Sequence, residues 1–161
     1  MITLVPSDAS RRQLHDFIAQ VEELANPDAA AMRPIQEAIR VGFAQNFASE
    51  GAAGGEPWAQ LAAMTRRERR QQGYPEAHPI LERSGVYRRS FTDEFHINHV
   101  SAWAVAGGVW TIEEGSTDER ADELEYGTFK MPARPVLVLG NAGEARISEV
   151  LEYMFAEWFE E

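Results

Sequence analysis

The sequence predicts an α+β domain in which a small, mainly antiparallel sheet is packed by amino-terminal helices and a long carboxy-terminal helix. Three observations carry this. Two amphipathic stretches open the chain, a central stretch from His96 to Val109 mixes apolar, aromatic and small residues in partial alternation, and the carboxy-terminal stretch holds the widest apolar stripe. Periods near 3.6 read as helices with one buried face, and alternation reads as half-exposed strands.

The first helix is predicted from about Asp8 to Ala25, where Leu14, Phe17, Ile18 and Val21 share a face and Ser7 or Asp8 caps the start. Asn26-Pro27 stops it, because proline disfavours helical backbone in the residue before it, and Asp28 is placed to cap a second helix. That helix carries Met32, Ile35, Ile39, Phe43 and Phe47 in one stripe, with Pro34 tolerated near the first turn. Ser49 to Pro57 is small and glycine-rich with no apolar period, which predicts a flexible loop over 49–57. Trp58 to Arg70 is compatible with a helix ended by Gly73-Tyr74-Pro75, and Ile80 to Phe91 predicts another short one.

The sheet is expected between about Phe95 and Leu139, with Gly107-Gly108 as a hairpin turn. Glu113 to Glu125 holds seven carboxylates and one arginine, the pattern of a solvated acidic loop at the tip of two strands. Met131-Pro132-Ala133-Arg134-Pro135 must be extended or turned, since its prolines break helix and central strand alike. In the final helix, Asn141 and Glu144 form a capping pair, and Ile147, Val150, Leu151, Met154, Phe155, Trp158 and Phe159 make the stripe opposite Glu149, Glu152, Glu157 and Glu160. One domain spanning 1–161 accommodates all of this, without internal repeats.

Composition narrows the function. With 26 Asp plus Glu against 15 Lys plus Arg, the formal charge is −11, which repels phosphate and argues against general affinity for nucleic acid. There is no cysteine, so no disulfide, thiol nucleophile or thiolate zinc site is available, a composition at ease in a reducing cytoplasm. The amino terminus lacks a basic stretch followed by an apolar run and no window approaches a membrane span, so the chain reads as soluble, with no membrane partner.

Catalytic templates are scarce. The Gly-Ala-Ala-Gly-Gly stretch follows a helix and has no lysine after it, unlike a phosphate loop. His96 and His99 are three apart in an extended context, where they would face opposite ways; with His15 and His78 far off, they read as structural or surface residues. Glu113-Glu114 and Asp122-Glu123-Glu125 supply paired acids but no sign of the apolar pocket that acid–base work demands. No serine sits in a glycine-flanked strand-to-helix elbow. The chain is therefore not expected to be an enzyme, and neither cofactor nor metal is expected.

The arginines stand out against this. Between Thr65 and Arg89 lie seven of them, Arg66, Arg67, Arg69, Arg70, Arg83, Arg88 and Arg89, against Glu68, Glu76 and Glu82. A solvated helix face is the plain reading; a basic patch meeting an acidic protein surface is the sharper one, favoured over DNA because aromatic residues between the arginines are few and no groove-entering motif is present. The basic region of one copy could meet the acidic segments of the next, the arrangement of a heterologous ring contact.

The order of several motifs resembles a known family. Trp58-Ala59-Gln60-Leu61, Thr65 and its arginines, Gly73, Pro79-Ile80-Leu81, Ser84-Gly85, Arg88-Arg89-Ser90, Glu125-Tyr126-Gly127-Thr128 and Pro132-Ala133-Arg134-Pro135 together resemble the phage virion morphogenesis family, which includes tail completion proteins and the G protein of Mu-like phages, and is related to phage head–tail joining neck proteins. The resemblance runs from about Ile35 to Leu139. It implies a structural protein of the virion, at the head–tail junction or tail end and in the host cytoplasm during assembly. It further implies a homo-oligomeric ring touching neck, connector or tail proteins, with contact to phage DNA through the basic patch as the alternative. Interaction candidates are Trp58, Arg66, Arg67, Arg69, Arg70, Arg88, Arg89, Glu125, Tyr126, Gly127, Thr128 and Arg134. Arg134, on its proline-bounded segment, is expected to pair with Glu125 within the chain, in preference to a carboxylate of a neighbouring molecule.

Overall fold

A computed structural model describes residues 8–25, 27–75, 79–107 and 109–159. Ser7, Asn26, Glu76, His78, Gly108 and Glu160, drawn on above, lie outside the described residues, as do the side chains of Leu14, Glu157, Trp158 and Phe159. The order is α1 (Asp8–Ala25), α2 (Ala29–Ala48), α3 (Ala63–Gln71), α4 (Val86–Thr92), β1 (His99–Ala106), β2 (Val109–Ser116), α5 (Ala121–Tyr126) and α6 (Gly140–Phe159). This is an α+β fold with a two-stranded antiparallel sheet and a long carboxy-terminal helix.

Helix α2 is the axis on which α4, β2 and α6 pack. Asp28, in extended backbone, caps it by accepting a hydrogen bond from the Ala31 amide at 2.8 Å. Because the helix begins at Ala29, Pro34 falls in its second turn rather than its first, removing one helical hydrogen bond on an exposed face. The amino-terminal half buries Met32 and Ile35 with Met154 of α6, and Trp110, Ile112, Ile147, Val150 and Leu151 pack around them. Its carboxy-terminal half buries Phe43 and Phe47 with Trp58, Ile80, Tyr87, Phe91 and Val136. Rings there meet edge to face, Phe47 on Trp58 at 5.7 Å and Tyr87 on Phe91 at 5.1 Å, the arrangement that aromatic quadrupoles favour.

Buried Asn46 ties α2 to the chain before α6: its Nδ2 donates to the carbonyls of Pro135 and Val136, both at 3.2 Å, and of Val138 at 3.4 Å. Gly140 then starts α6 with φ +61°, where an added Cβ would collide with the Ala53 carbonyl oxygen, so only glycine fits. The 49–57 segment, read from composition as a flexible loop, carries a 3-10 turn at Ala52–Gly54. Ser49 Oγ accepts from the Ala53 amide at 2.8 Å, and the Glu50 carboxylate accepts from the Ile80 amide at 2.9 Å.

Several boundaries differ from expectation. The sheet is confined to 99–116, with His99 opposite Ser116 and Ala106 opposite Val109; beyond it, only the isolated Thr128–Met131 bridge is extended pairing among the described residues. The helix expected over 58–70 starts at Ala63, because the Trp58 amide is bound to the Glu50 carbonyl at 2.7 Å and the chain there runs extended. The helix expected over 80–91 starts at Val86, since Leu81 adopts φ +63°.

The largest correction concerns 113–125, which is not a solvated loop. Glu113 and Glu114 lie within β2, and Asp122, Glu123 and Glu125 within α5. The Glu114 side chain is 1% exposed, 3.3 Å from Arg40 on α2, and Arg40 also donates to Glu37 at 2.8 Å. His99 Nε2 stands 3.2 Å from Glu114, while its Nδ1 faces the Ser90 carbonyl at 3.1 Å, making it a structural histidine. Asp118 is buried too, held by Arg120 through Nε at 2.8 Å and Nη2 at 2.6 Å. Alternation explains Glu114: it shares the inward face of β2 with Trp110 and Ile112, and a buried carboxylate needs a cation there.

Candidate protein-interaction surface

Three of the motifs that the sequence strings across eighty positions, those around Trp58, Glu125 and Arg134, meet at one strap. The strap is 132–136, lying between the chain after Trp58 and helix α5. Arg134 is buried at 4% exposure, its Nε donating to the Ala59 carbonyl at 3.1 Å and its backbone amide to the Leu124 carbonyl at 2.6 Å. Burial, and then the charge of Arg69, lower its pKa from the ordinary guanidinium value. The expected Arg134–Glu125 pair does not form. Glu125 instead accepts from the amides of Val136 at 2.7 Å and Leu137 at 3.3 Å, because the strap's backbone, rather than its arginine, faces α5.

Trp58 closes the other side. It is 4% exposed, and its indole Nε1 donates to the Pro135 carbonyl at 2.9 Å. Trp58, Glu125 and Arg134 therefore support the surface from beneath; none is a contact residue by its own exposure. Each satisfies backbone groups that prolines leave without ladder partners.

What the strap displays is the turn from Tyr126 to Met131. Gly127 has φ +73°, and an added Cβ would sit 2.6 Å from the Ala133 amide nitrogen, so the turn is pressed against the strap. Thr128 and Met131 exchange backbone hydrogen bonds at 2.8 and 3.2 Å, and Thr128 Oγ1 accepts from the Lys130 amide at 3.2 Å. The result is a braced turn that holds Tyr126 and Phe129 in solvent, 79% and 94% exposed, with the Lys130 ammonium 5.1 Å from the Phe129 ring centre. Large apolar rings on a rigid tip carry contact area at little entropic cost.

The arginines divide. Arg66, Arg67, Arg70 and Arg89 are exposed. Arg69 is half-buried and donates to the Pro79 carbonyl at 2.9 Å, and Arg88 pairs with Glu82 at 3.2 Å, so both brace the chain between α3 and α4. Desolvation and the neighbouring Arg83 lower the Arg69 pKa.

Sequence reasoning missed Phe129 and the Arg40–Glu114–His99 cluster. Phe129 carried a signal, a large aromatic among turn residues outside any apolar period. Arg40 did as well: it stands three residues before Phe43 and seven before Phe47, on the helix face that α2 buries. Among the described residues no cluster of three or more histidines and acids has metal-holding geometry, and no helix is long and apolar enough to cross a membrane.

The motif order, with a family model that matches nearly the whole chain, places the protein among those of phage virion assembly. The chain belongs to the phage virion morphogenesis family, a structural family whose model matches residues 9–156. That match reaches beyond 35–139 to take in α1 and most of α6. No curated protein and no solved structure matches the chain.

Proposed function

We propose that this protein completes the phage tail at the neck and joins head to tail, by self-association into a ring and by contacts with adjacent neck, connector or tail proteins. The observation that carries the reading is the braced turn 126–131, which holds Tyr126 and Phe129 outward rather than in a core. Binding is its mechanism, and no reaction is assigned to the chain. The exposed Arg66 and Arg67 of α3 offer cations to acidic partner surfaces, and contacts of this kind set approach and register more than affinity.

Tyr126→Ala with Phe129→Ala tests this. Both rings are exposed, so the double variant should fold and melt as the parent does, while particles assembled with it fail to join heads to tails. Normal joining by the variant counts against the turn as a contact. Cryo-electron microscopy of particles that places the chain away from neck and tail defeats the reading altogether.

A second reading takes Arg66 and Arg67 as contacts for DNA. Neither makes an ion pair among the described residues, which favours an external anion. Replacing both by glutamine should then weaken DNA binding at all sequences and flatten its salt dependence by about two charges. Loss of joining with no DNA affinity in the parent protein favours the protein contact.

A further inference from the structure

Among the described residues, helix α1 packs its apolar face on no other element. Every α1 residue whose exposure is described is exposed, on the apolar face as on the polar one: Phe17 by 54%, Ile18 by 48% and Val21 by 44%. An isolated helix of 18 residues is marginal in water, and an amphipathic one takes its stability from whatever covers its apolar face. The same chain has an uncovered apolar groove. It lies between the start of α2 and the second half of α6, lined by Ala30, Ala31, Pro34, Val150, Tyr153 and Met154, with a volume of about 580 Å³ and Arg146 and Glu149 at its rim.

We propose that α1 of one copy docks in the α2–α6 groove of a second copy, and that the exchange is reciprocal. This rests on the self-association proposed above, to which it adds a closed pair of chains as the unit that the ring repeats. Lengths agree: Leu14 to Val21 spans ~10 Å of helix axis and the α6 wall from Arg146 to Met154 ~12 Å. Return of α1 onto its own groove fits less well. The groove begins one residue into α2, so α1 folding back after the short 26–28 connection would set its last turn there and leave Phe17 and Ile18 uncovered.

Area points to reciprocity. The exposed parts of Phe17, Ile18, Val21 and Tyr153, with the smaller groove residues, amount to ~500 Å² for one helix in one groove. A single contact of that size is no larger than lattice packing, whereas two in a closed dimer approach ~1,000 Å², where specific association begins.

The chain has no cysteine, so engineered ones report without background. Ile18→Cys protein and a tagged Ala30→Cys protein, mixed and oxidised, should give a covalent heterodimer well above the yield of an Ile18→Cys and Gln45→Cys pair. Light scattering should show a dimer that Phe17→Glu with Val21→Glu dissociates, as should Tyr153→Lys on the opposite surface, with helical circular dichroism retained. Undiminished self-association in both variants, without the cross-link, overturns the docking and leaves the self-association standing. A bond formed only within the Ile18→Cys, Ala30→Cys double variant overturns it in favour of the chain's own groove, and a monomer at every concentration overturns docking and self-association together.

Discussion

At Arg40 a single side chain decides whether the middle of the molecule is tolerable. Its guanidinium is 7% exposed and faces the almost fully buried Glu114. Removing one member of such a pair leaves the other charge in a low-dielectric site, which costs more than the pair contributed. Arg40→Met should therefore lower stability by ~3–5 kcal/mol in urea unfolding, and Arg40→Met with Glu114→Leu should recover much of that loss. Tyr87 offers a residue-scale test in the alkaline range. Its hydroxyl is buried with no hydrogen-bond partner among the described residues, and burial, then the charges of Glu125 and Asp118, push its pKa far above the usual phenol value of 10.0. Because the folded value is raised, this stabilisation is complete below about pH 10 and is lost as pH rises beyond it. Melting temperature should fall above pH 10 in the parent and less steeply in Tyr87→Phe, which removes an unsatisfied polar atom and should match or exceed the parent at pH 7.

Elements owe their limits to partners more than to propensity. Residues 58–62 have helix-compatible composition, yet the Glu50 carbonyl takes the Trp58 amide and Arg134 takes the Ala59 carbonyl, so the helix waits for Ala63. The turn into α5 depends on Asp118, whose pKa is lowered first by the side-chain hydrogen bonds from Arg120 and opposed by its own burial. A depressed carboxyl pKa contributes stability above the unfolded value near 3.8 that disappears as pH falls through the folded one. Asp118→Asn should be less stable than the parent by ~1–2 kcal/mol at pH 7, and the gap in thermal melts should close as pH drops below about 4. Gly127 sets the last element-scale limit. Gly127→Ala should destabilise by more than ~1 kcal/mol and blur the 126–131 turn, read as faster amide exchange at Thr128 and Met131, because both φ and the Ala133 contact exclude a Cβ.

On the scale of the whole molecule, α2 divides its length between two clusters, Met32 and Ile35 in one and Phe43 and Phe47 in the other, while a strap of prolines backs the exposed 126–131 turn. The net charge of −11 is an average over different environments. Glu114 and Asp118 are buried against Arg40 and Arg120, whereas Asp122 and Glu123 on α5 and Arg66 and Arg67 on α3 stay in solvent. Contacts through these exposed charges should be screened by salt, so association rates with virion partners should fall as ionic strength rises, and Arg66→Gln with Arg67→Gln should reduce that dependence in stopped-flow measurements. A rate indifferent to salt would assign the recognition to Tyr126 and Phe129 alone.

Sequence alone determined the α+β class, the limits of α1, the start of α2 at its Asp28 cap, the packing of Ile147, Val150, Leu151 and Met154 from the α6 stripe, and the family, because these rest on local period, capping chemistry and motif order. Tertiary structure decided the rest. Whether Glu114 is solvated or buried depends on Arg40, 74 residues away; whether Arg134 meets Glu125 or the Ala59 carbonyl depends on which side of the strap faces α5; and whether Trp58 and Tyr126 are support or display depends on what lies behind each ring. Charge and aromaticity are properties of a residue, but burial is a property of its neighbours, and those neighbours are chosen only when the chain closes on itself.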